Sequence, residues 1–274
     1  MIDTNRRVLP GFSLSLGYTL LYVGVLVLVP VAAGALRASA LTAAELWAAV
    51  STPRAIAAYG LTLGASLVAA LIDAALGTLL AWVLVRYRSP LTRLLDALVD
   101  IPFALPTAVA GLVYADLYAD KGWFGRYLAP LGIRGAYSRL GIVLVLIFVG
   151  FPFVVRTLQP VLEDFDPALE EAAACLGASR RQTLALVLAP ALLPAIVSGF
   201  ALAFARALGE YGSVVFIAGN MPFRTEIAPV LIVARLEEFK YGEATAIAMV
   251  LVGMSLAALV LIGLLERWSA RRHG

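Results

Sequence analysis

In a chain of 274 residues that is 62% hydrophobic and only 14% charged, few side chains are equipped for chemistry. Arg206 and Glu210 lie four apart inside the apolar run 192–217, and Asp73 interrupts the run 59–85. At i,i+4 on a helix a guanidinium and a carboxylate pair with each other. A charge left alone at mid-bilayer costs about 2.5–3.5 kcal/mol on insertion scales. Two readings of Arg206 and Glu210 stand at this point. One is a self-neutralised structural pair. The other is a functional pair, with the Arg206 charge available to a ligand and Glu210 limiting how firmly it is held. Gly209 and Gly212 beside the pair would let neighbouring helices approach closely, and Tyr211 is placed to hydrogen-bond across that contact. Asp73 reads mainly as structural, paired with another helix or another subunit.

Pro102 and Pro106 are one turn apart at the start of a third apolar run, 101–117. Pro106 has no N–H to donate and crowds the carbonyl one turn back, so the helix kinks or opens there. Opened backbone is tolerated at membrane depth where it is buried or lines a watery cavity. The kink serves packing alone, or it turns Thr107 and freed backbone groups toward a pathway.

Much familiar chemistry is excluded. His273 is the only histidine and Cys175 the only cysteine, so histidine-based acid–base chemistry, cysteine metal sites and an intrachain disulfide have no material. The two lysines, Lys121 and Lys240, stand outside any G-x-x-x-x-G-K-[ST] setting, so this chain carries no Walker A loop. The net charge of +3 comes without basic runs interleaved with aromatics, which argues against nucleic acid.

These residues must be positioned by membrane helices. Soluble domains carry roughly 25% charged residues, and six runs here reach or approach the roughly 20 residues that cross a bilayer. They are 14–36, 59–85, 101–117, 140–155, 192–217 and 244–265. The fourth is short and needs lengthening past Phe153. No alternation of about ten residues repeats, which disfavours a β-barrel. The fold class is therefore all-α, a polytopic membrane protein with six transmembrane helices. The segment 89–100 opens on Ser89 and Pro90, a cap and a first-turn proline. It reads as a short interfacial helix or as an extension of the third span. Lysine and arginine bias the orientation toward N-terminus and C-terminus inside. That side counts Arg6, Arg7, Arg86, Arg88, Arg93, Arg156, Arg180, Arg181, Arg267, Arg271 and Arg272, eleven against nine outside.

The stretch EEAAACLGASRRQTLALVLAP, 170–190, breaks the apolar pattern between the fourth and fifth spans. Asp166 caps and Pro167 starts a helix. Glu170 and Glu171 suit its first turn, Ala172 and Ala173 favour it, and Gly177 takes the positive φ that ends it. After Ala178, Ser179 caps a second helix from Arg180. This is a surface helical hairpin with no partner, or a rigid device that passes a push into both adjoining spans.

Here a resemblance enters. Glu171, Ala172, Ala173, Gly177, Val187 and Pro190 have the spacing of the "EAA" loop of bacterial ABC importer permeases, with Ala189 where that family more often has Leu. The stretches DIPFALPTAVAG (100–111) and RALGEYGSVVFIAGN (206–220) resemble those of the sulfate/thiosulfate permeases, T-type subunit. The resemblance covers about 9–268. It implies the type I ABC importer permease fold, with residues 1–57 as tail, first span and loop, 58–266 as permease core containing the coupling loop 160–190, and 267–274 as a cytoplasmic tail. It implies that the chain sits in the bacterial inner membrane as a non-catalytic subunit and holds no cofactor, because ATP is bound by a separate ATPase. The implied partners are a second, W-type permease, two copies of that ATPase and a periplasmic sulfate/thiosulfate-binding protein. Glu170, Glu171, Ala172, Ala173, Gly177, Ala178, Ser179 and Arg180 would dock on the ATPase. Pro102, Pro106, Thr107, Arg206, Glu210, Tyr211 and Gly212 would line the pathway or gate. Import of molybdate or another oxyanion is the alternative within this class. An autonomous secondary transporter is the alternative outside it, but it would require internal inverted repeats, which the sequence does not display.

Overall fold

The computed structural model describes residues 12–87 and 89–273, without the side chains of residues 13 and 265–273. Arg6, Arg7, Arg88 and the side chains of Arg267, Arg271, Arg272 and His273, used above for orientation and exclusion, lie outside the described residues. In chain order the structure contains α1 (Leu14–Ala38), α2 (Ala43–Val50), α3 (Pro53–Arg86), α4 (Pro90–Val99), α5 (Ile101–Ala104) and α6 (Thr107–Tyr118). Then follow α7 (Gly125–Leu128), α8 (Arg139–Glu163), α9 (Pro167–Cys175), α10 (Arg180–Leu208), α11 (Val214–Ile217), α12 (Ala228–Glu237) and α13 (Tyr241–His273). No strand occurs among the described residues. Among the described residues five helices are long and apolar enough to span, and a bent pair, counted as one span, makes a sixth. The all-α, six-span expectation is met.

The core forms where α3, α8 and α10 pack together. The buried face of α3 is made of small residues, including Ala55, Ala58, Ala65, Ala69, Ala70, Gly77 and Ala81. Small residues let helix backbones approach where lipid supplies no hydrophobic drive between them. A Cβ on Gly77 would come within 2.8 Å of Val154 Cγ1. One apolar cluster gathers Ala70, Val154, Leu158, Leu192, Ala203 and Phe204. A second, toward the other end of the bundle, gathers Ala65, Ile142, Val145, Ala207, Val214 and Ile217. The first span is peripheral: its apolar stretch is unburied, and it packs chiefly on α13, where Gly34 meets Met249.

Two expectations are met in detail and two are not, each for a local reason. The fourth span grows from 16 residues to 25, running through Pro152 and Pro160 to Glu163. The third span opens at Pro106, one of the two outcomes foreseen: the arm Pro90–Ala104 and α6 meet at 111°. A residue preceding proline is driven out of the helical region, and Leu105 accordingly sits at φ −85, ψ 128 ahead of Pro106. The fifth span stops at Leu208, not at residue 217, so Glu210 lies past the helix end instead of within it. Finally, α2 and α12 were not foreseen. Thr42 and Glu45 cap α2 reciprocally in a capping box.

Both ends of the bundle are tied by ions. At one end Arg86 pairs with Glu170, and Arg156 engages Asp96 and Asp100 at 2.6 and 2.7 Å. At the opposite end Arg54 grips Glu226 through two bonds of 2.7 and 2.6 Å, and Arg139 Nε donates to the Arg224 carbonyl at 2.9 Å.

Candidate functional site

Two groups of residues stand at different levels of the bundle. The first is the hairpin between α8 and α10. Asp166 Oδ1 accepts from the Ala168 N–H at 2.9 Å, and Pro167 follows as the first helical residue. At the far end Gly177 has φ +82. The Ala178 N–H returns to the Ala173 carbonyl and the Gly177 N–H to the Ala174 carbonyl, at 3.0 and 2.9 Å. That pair of bonds is the Schellman closure of a helix. Ser179 and Gln182 then cap α10 reciprocally, with bonds of 3.4 and 2.8 Å. The turn predicted from Gly177 and Ser179 is thus the turn observed.

The two glutamates are not equivalent. Glu170 turns back to Arg86, the last residue of α3, and Arg86 lies 4.9 Å over the Trp82 ring. Glu171 is exposed and has no partner among the described residues. Beside it Leu169 is 51% and Leu176 89% exposed. Ala172 is exposed as well, while Ala173 and Ala178 are half-buried. Beneath the hairpin a cavity of about 390 Å³ is lined by Trp82, Glu170, Ala178, Arg180 and Leu188. The hairpin therefore faces its own chain through Glu170 and faces outward through Leu169, Glu171 and Leu176.

The return helix starts at Arg180 and holds a π-turn at Leu184–Leu188, two residues ahead of Pro190. The first span has the same arrangement, a π-turn at Gly24–Leu28 ahead of Pro30. A proline removes one i→i−4 bond, and a π-turn is one way a helix absorbs the mismatch.

The second group gathers where α6 meets the segment after α10. Arg206 pairs with Glu210, as the spacing suggested, although Glu210 lies outside the helix. The Glu210 side chain is 2% exposed and that of Arg206 33%. Glu210 Oε1 also accepts from the Ser213 N–H and from its hydroxyl, each at 2.9 Å. A buried carboxylate needs such donors to remain buried. Gly212 abuts Thr107, and a Cβ there would run into Thr107 Oγ1. Likewise a Cβ on Gly111 would run into the Ser213 carbonyl oxygen. Thr107, Gly111, Glu210, Gly212 and Ser213 therefore form one close-packed contact between the broken span and the end of the fifth.

The other predicted site residues fall around this contact. Tyr211 is half-buried in the Ile142–Ile217 cluster, and its hydroxyl makes no hydrogen bond among the described residues, contrary to expectation. Gly209 faces open space, so the close approach belongs to Gly212 alone. Pro106 is exposed at the break, whereas Pro102 lines a separate apolar cavity of about 330 Å³ with Leu80, Tyr114, Phe148 and Phe151. The sequence reading passed over Gly111 and Ser213. It also missed Gly150, whose bare backbone lies against the Asp73 carboxylate. Asp73 does not pair with another helix among the described residues: it is 1% exposed and neither carboxylate oxygen has a partner there.

Known proteins with this architecture agree on its class. Residues 73–273 match the model of the family "Binding-protein-dependent transport system inner membrane component". Among similar proteins, the sulfate transport system permease protein CysT of Salmonella typhimurium is 48% identical over 269 residues, 98% of this chain and 97% of that protein. CysT of Escherichia coli is 47% identical over the same shares. A probable sulfate transport system permease of Nephroselmis olivacea is 51% identical over 248 residues, 90% of this chain and 87% of that protein. The fold is similar to that of a bacterial ABC transporter importing the acidic polysaccharide alginate, with a TM-score of 0.75 at 17% identity, covering 93% of this chain and 94% of that one. It is also similar to the MetNI methionine ABC transporter in an inward-facing form, with a TM-score of 0.58 at 17% identity over 85% and 99%. The six-span, all-α architecture is thus that of the type I ABC importer permease, and by family and fold alike the chain belongs to the binding-protein-dependent transport system inner membrane components, as a non-catalytic permease subunit.

Proposed function

We propose that this chain is the T-type permease subunit of an ATP-driven importer of sulfate and thiosulfate. It forms half of a pathway whose other half is a W-type permease. Two copies of an ATPase engage the hairpins of the paired permeases, and a periplasmic binding protein delivers the anion. The substrate reading is supported by the sulfate permeases that match nearly the whole chain. An alginate transporter of similar fold forms a complex with a periplasmic protein carrying its oligosaccharide, which supports an arrangement of this kind. The chain would lie in the bacterial inner membrane with both termini in the cytoplasm, which puts the hairpin on the ATPase side.

The observation that carries the reading is the division of labour in the hairpin. Glu170 ties it to α3 through Arg86, its two ends continue from α8 and into α10, and Leu169, Glu171 and Leu176 face out. A protein pressing on that outward face would move the three core helices together. At the other group, Arg206 offers a positive charge that Glu210 half neutralises, which suits an anion that must pass and not remain.

The test is made in proteoliposomes holding the assembled importer. Gly177→Val and Glu171→Ala, singly and together, are expected to abolish sulfate uptake while membrane insertion is unchanged and ATP hydrolysis no longer follows the binding protein. Full uptake by the double variant refutes the coupling role. Competition of labelled sulfate with thiosulfate and molybdate reads the substrate class, and molybdate outcompeting sulfate overturns the assignment.

A further inference from the structure

Asp73 sits in the middle of α3, 1% exposed, with both carboxylate oxygens unpaired among the described residues. A buried polar group without a partner costs free energy, and such a residue in a membrane helix points to function. Its surroundings offer it nothing. Gly150 of α8 leaves room for Oδ2 by having no side chain, and Ala203 of α10 closes the same point, 3.4 Å from where a Gly150 Cβ would be. The nearest arginine along α8, Arg156, is engaged by Asp96 and Asp100. The remaining charged side chains of α3, α8 and α10, from Arg54 and Arg86 to Arg139, Glu163, Arg180 and Arg181, sit near the helix ends.

One cation is close along the chain. Arg206 is three residues after Ala203, on the same face of α10 one turn on. Side chains in a helix lean toward its N-terminus, and for Arg206 that direction leads to the level of Ala203 and Asp73. In the observed structure Arg206 points the other way, to Glu210 beyond the helix end. Glu210 does not depend on it alone, because the Ser213 N–H and hydroxyl both donate to Oε1 at 2.9 Å. Of the two carboxylates, one stays hydrogen-bonded if the arginine leaves, and the other is unpaired until it arrives.

We propose that Arg206 exchanges partners during the transport cycle, pairing with Glu210 in the conformation seen here and with Asp73 in the alternate one, so that Asp73 draws the guanidinium away from the anion in the pathway. Asp73 is then a positioning residue. The proposal rests on the reading of Arg206 as part of the pathway, and it supplies the two discrete arrangements that a switching element requires.

A double-mutant cycle on sulfate uptake by the assembled importer tests it, normalised to inserted protein, with Asp73→Asn, Arg206→Gln and the double variant. Partners show non-additive losses, whereas independent sites show losses that multiply. Asp73→Asn is expected to lower uptake about five-fold alone and less than about two-fold in the Arg206→Gln background, with the thermal midpoint unchanged. Losses that multiply, or an Asp73→Asn importer that transports normally, overturn the exchange and leave Arg206 in the pathway. An Arg206→Gln importer with full uptake overturns the pathway reading itself, and the exchange with it. Asp73→Ala, which only removes atoms, decides the matter by the same cycle if the asparagine variant fails to insert.

Discussion

Replacing Gly111 with alanine probes the closest approach between the broken span and the segment that follows α10. The new Cβ would lie 2.8 Å from both the carbonyl carbon and the Cα of Ser213, with the carbonyl oxygen nearer still. Carbon atoms pack comfortably at about 3.5–4.0 Å, so α6 and Ser213 must part by on the order of 1 Å. Ser213 cannot retreat freely, since its N–H and hydroxyl hold Glu210 at 2.9 Å. Overpacking costs about 1–3 kcal/mol, and weakening one hydrogen bond to a charged group adds about 1.5–3 kcal/mol at most. Against this, alanine in a helix gains about 0.5–1 kcal/mol over glycine. The balance is a destabilisation of about 2 kcal/mol, and at about 2–4 °C per kcal/mol for a chain of this size the melting midpoint falls by about 4–8 °C. The assay is thermal unfolding of the purified complex in detergent, with uptake measured beside it. Gly253→Ala, also in a helix but facing open space, serves as the control and stays near wild type. A Gly111→Ala protein with an unchanged midpoint and full uptake refutes the close contact and the argument built on it.

Two further outcomes follow from the loops at the opposite end of the bundle. Glu226→Gln removes the charge from the two-bond grip on Arg54, and because Arg54 is 27% and Glu226 3% exposed, the loss is about 1.5–3 kcal/mol; limited proteolysis within 218–227 should quicken, and an unchanged cleavage rate contradicts the clamp. The Glu45 carboxyl is held below the usual glutamate range, first by the Thr42 N–H and then by the Thr42 hydroxyl, so the cap on α2 is intact above that range and is lost as pH falls through the lowered value. Amide protection factors in α2, taken relative to the intrinsic exchange rate at each pH, should therefore be flat from neutral to mildly acidic pH and fall only below the ordinary carboxylate range, and a fall beginning near neutrality shows that this capping box does not govern the helix.

What could be read in the sequence depended on how local its cause was. The hairpin was legible residue by residue, because Asp166, Pro167, Gly177 and Ser179 act on their own backbone. The proline break was legible in place but not in angle. Pro106 dictates that Leu105 leave the helix, whereas the 111° between the arms depends on distant contacts, Arg156 with Asp96 and Asp100 on one side and Gly111 with Ser213 on the other. The end of the fifth span was hidden, since hydropathy runs unbroken past Leu208 and only the Gly209–Glu210 step marks the stop. The capping box at Thr42 and Glu45 was a readable sign of α2 that the hydropathy pattern masked. Asp73 shows the limit most plainly. Its presence in an apolar run was obvious, but its lack of a partner depends on Gly150 and Ala203, which are 77 and 130 positions away in the chain.

These contacts also decide where such a permease can bend. At the hairpin end, Glu170 holds α9 to α3, and Arg156 holds α8 to the arm that precedes the break. The guanidinium of Arg156 uses all three nitrogens on Asp96, Asp100 and Gln159, so the arm is fixed in direction as well as position. Helices α3, α8 and α10 pack through small residues with little slack, and closely packed helices move as a body rather than deform. At the far end the loops are tied back by Arg54 and Arg139. Between these ends lies the Leu105–Pro106 step, where no i→i−4 bond crosses into Pro106, and next to it the Thr107–Gly212 and Gly111–Ser213 contacts, which involve glycines and no ion pair. On the proposed reading, a push delivered at the hairpin reaches α6 through the arm, and the compliant point it meets is that step. On the same reading, opening the pathway then consists of α6 leaving Gly212 and Ser213, while Ser213 goes on holding Glu210 and Arg206 is offered another carboxylate.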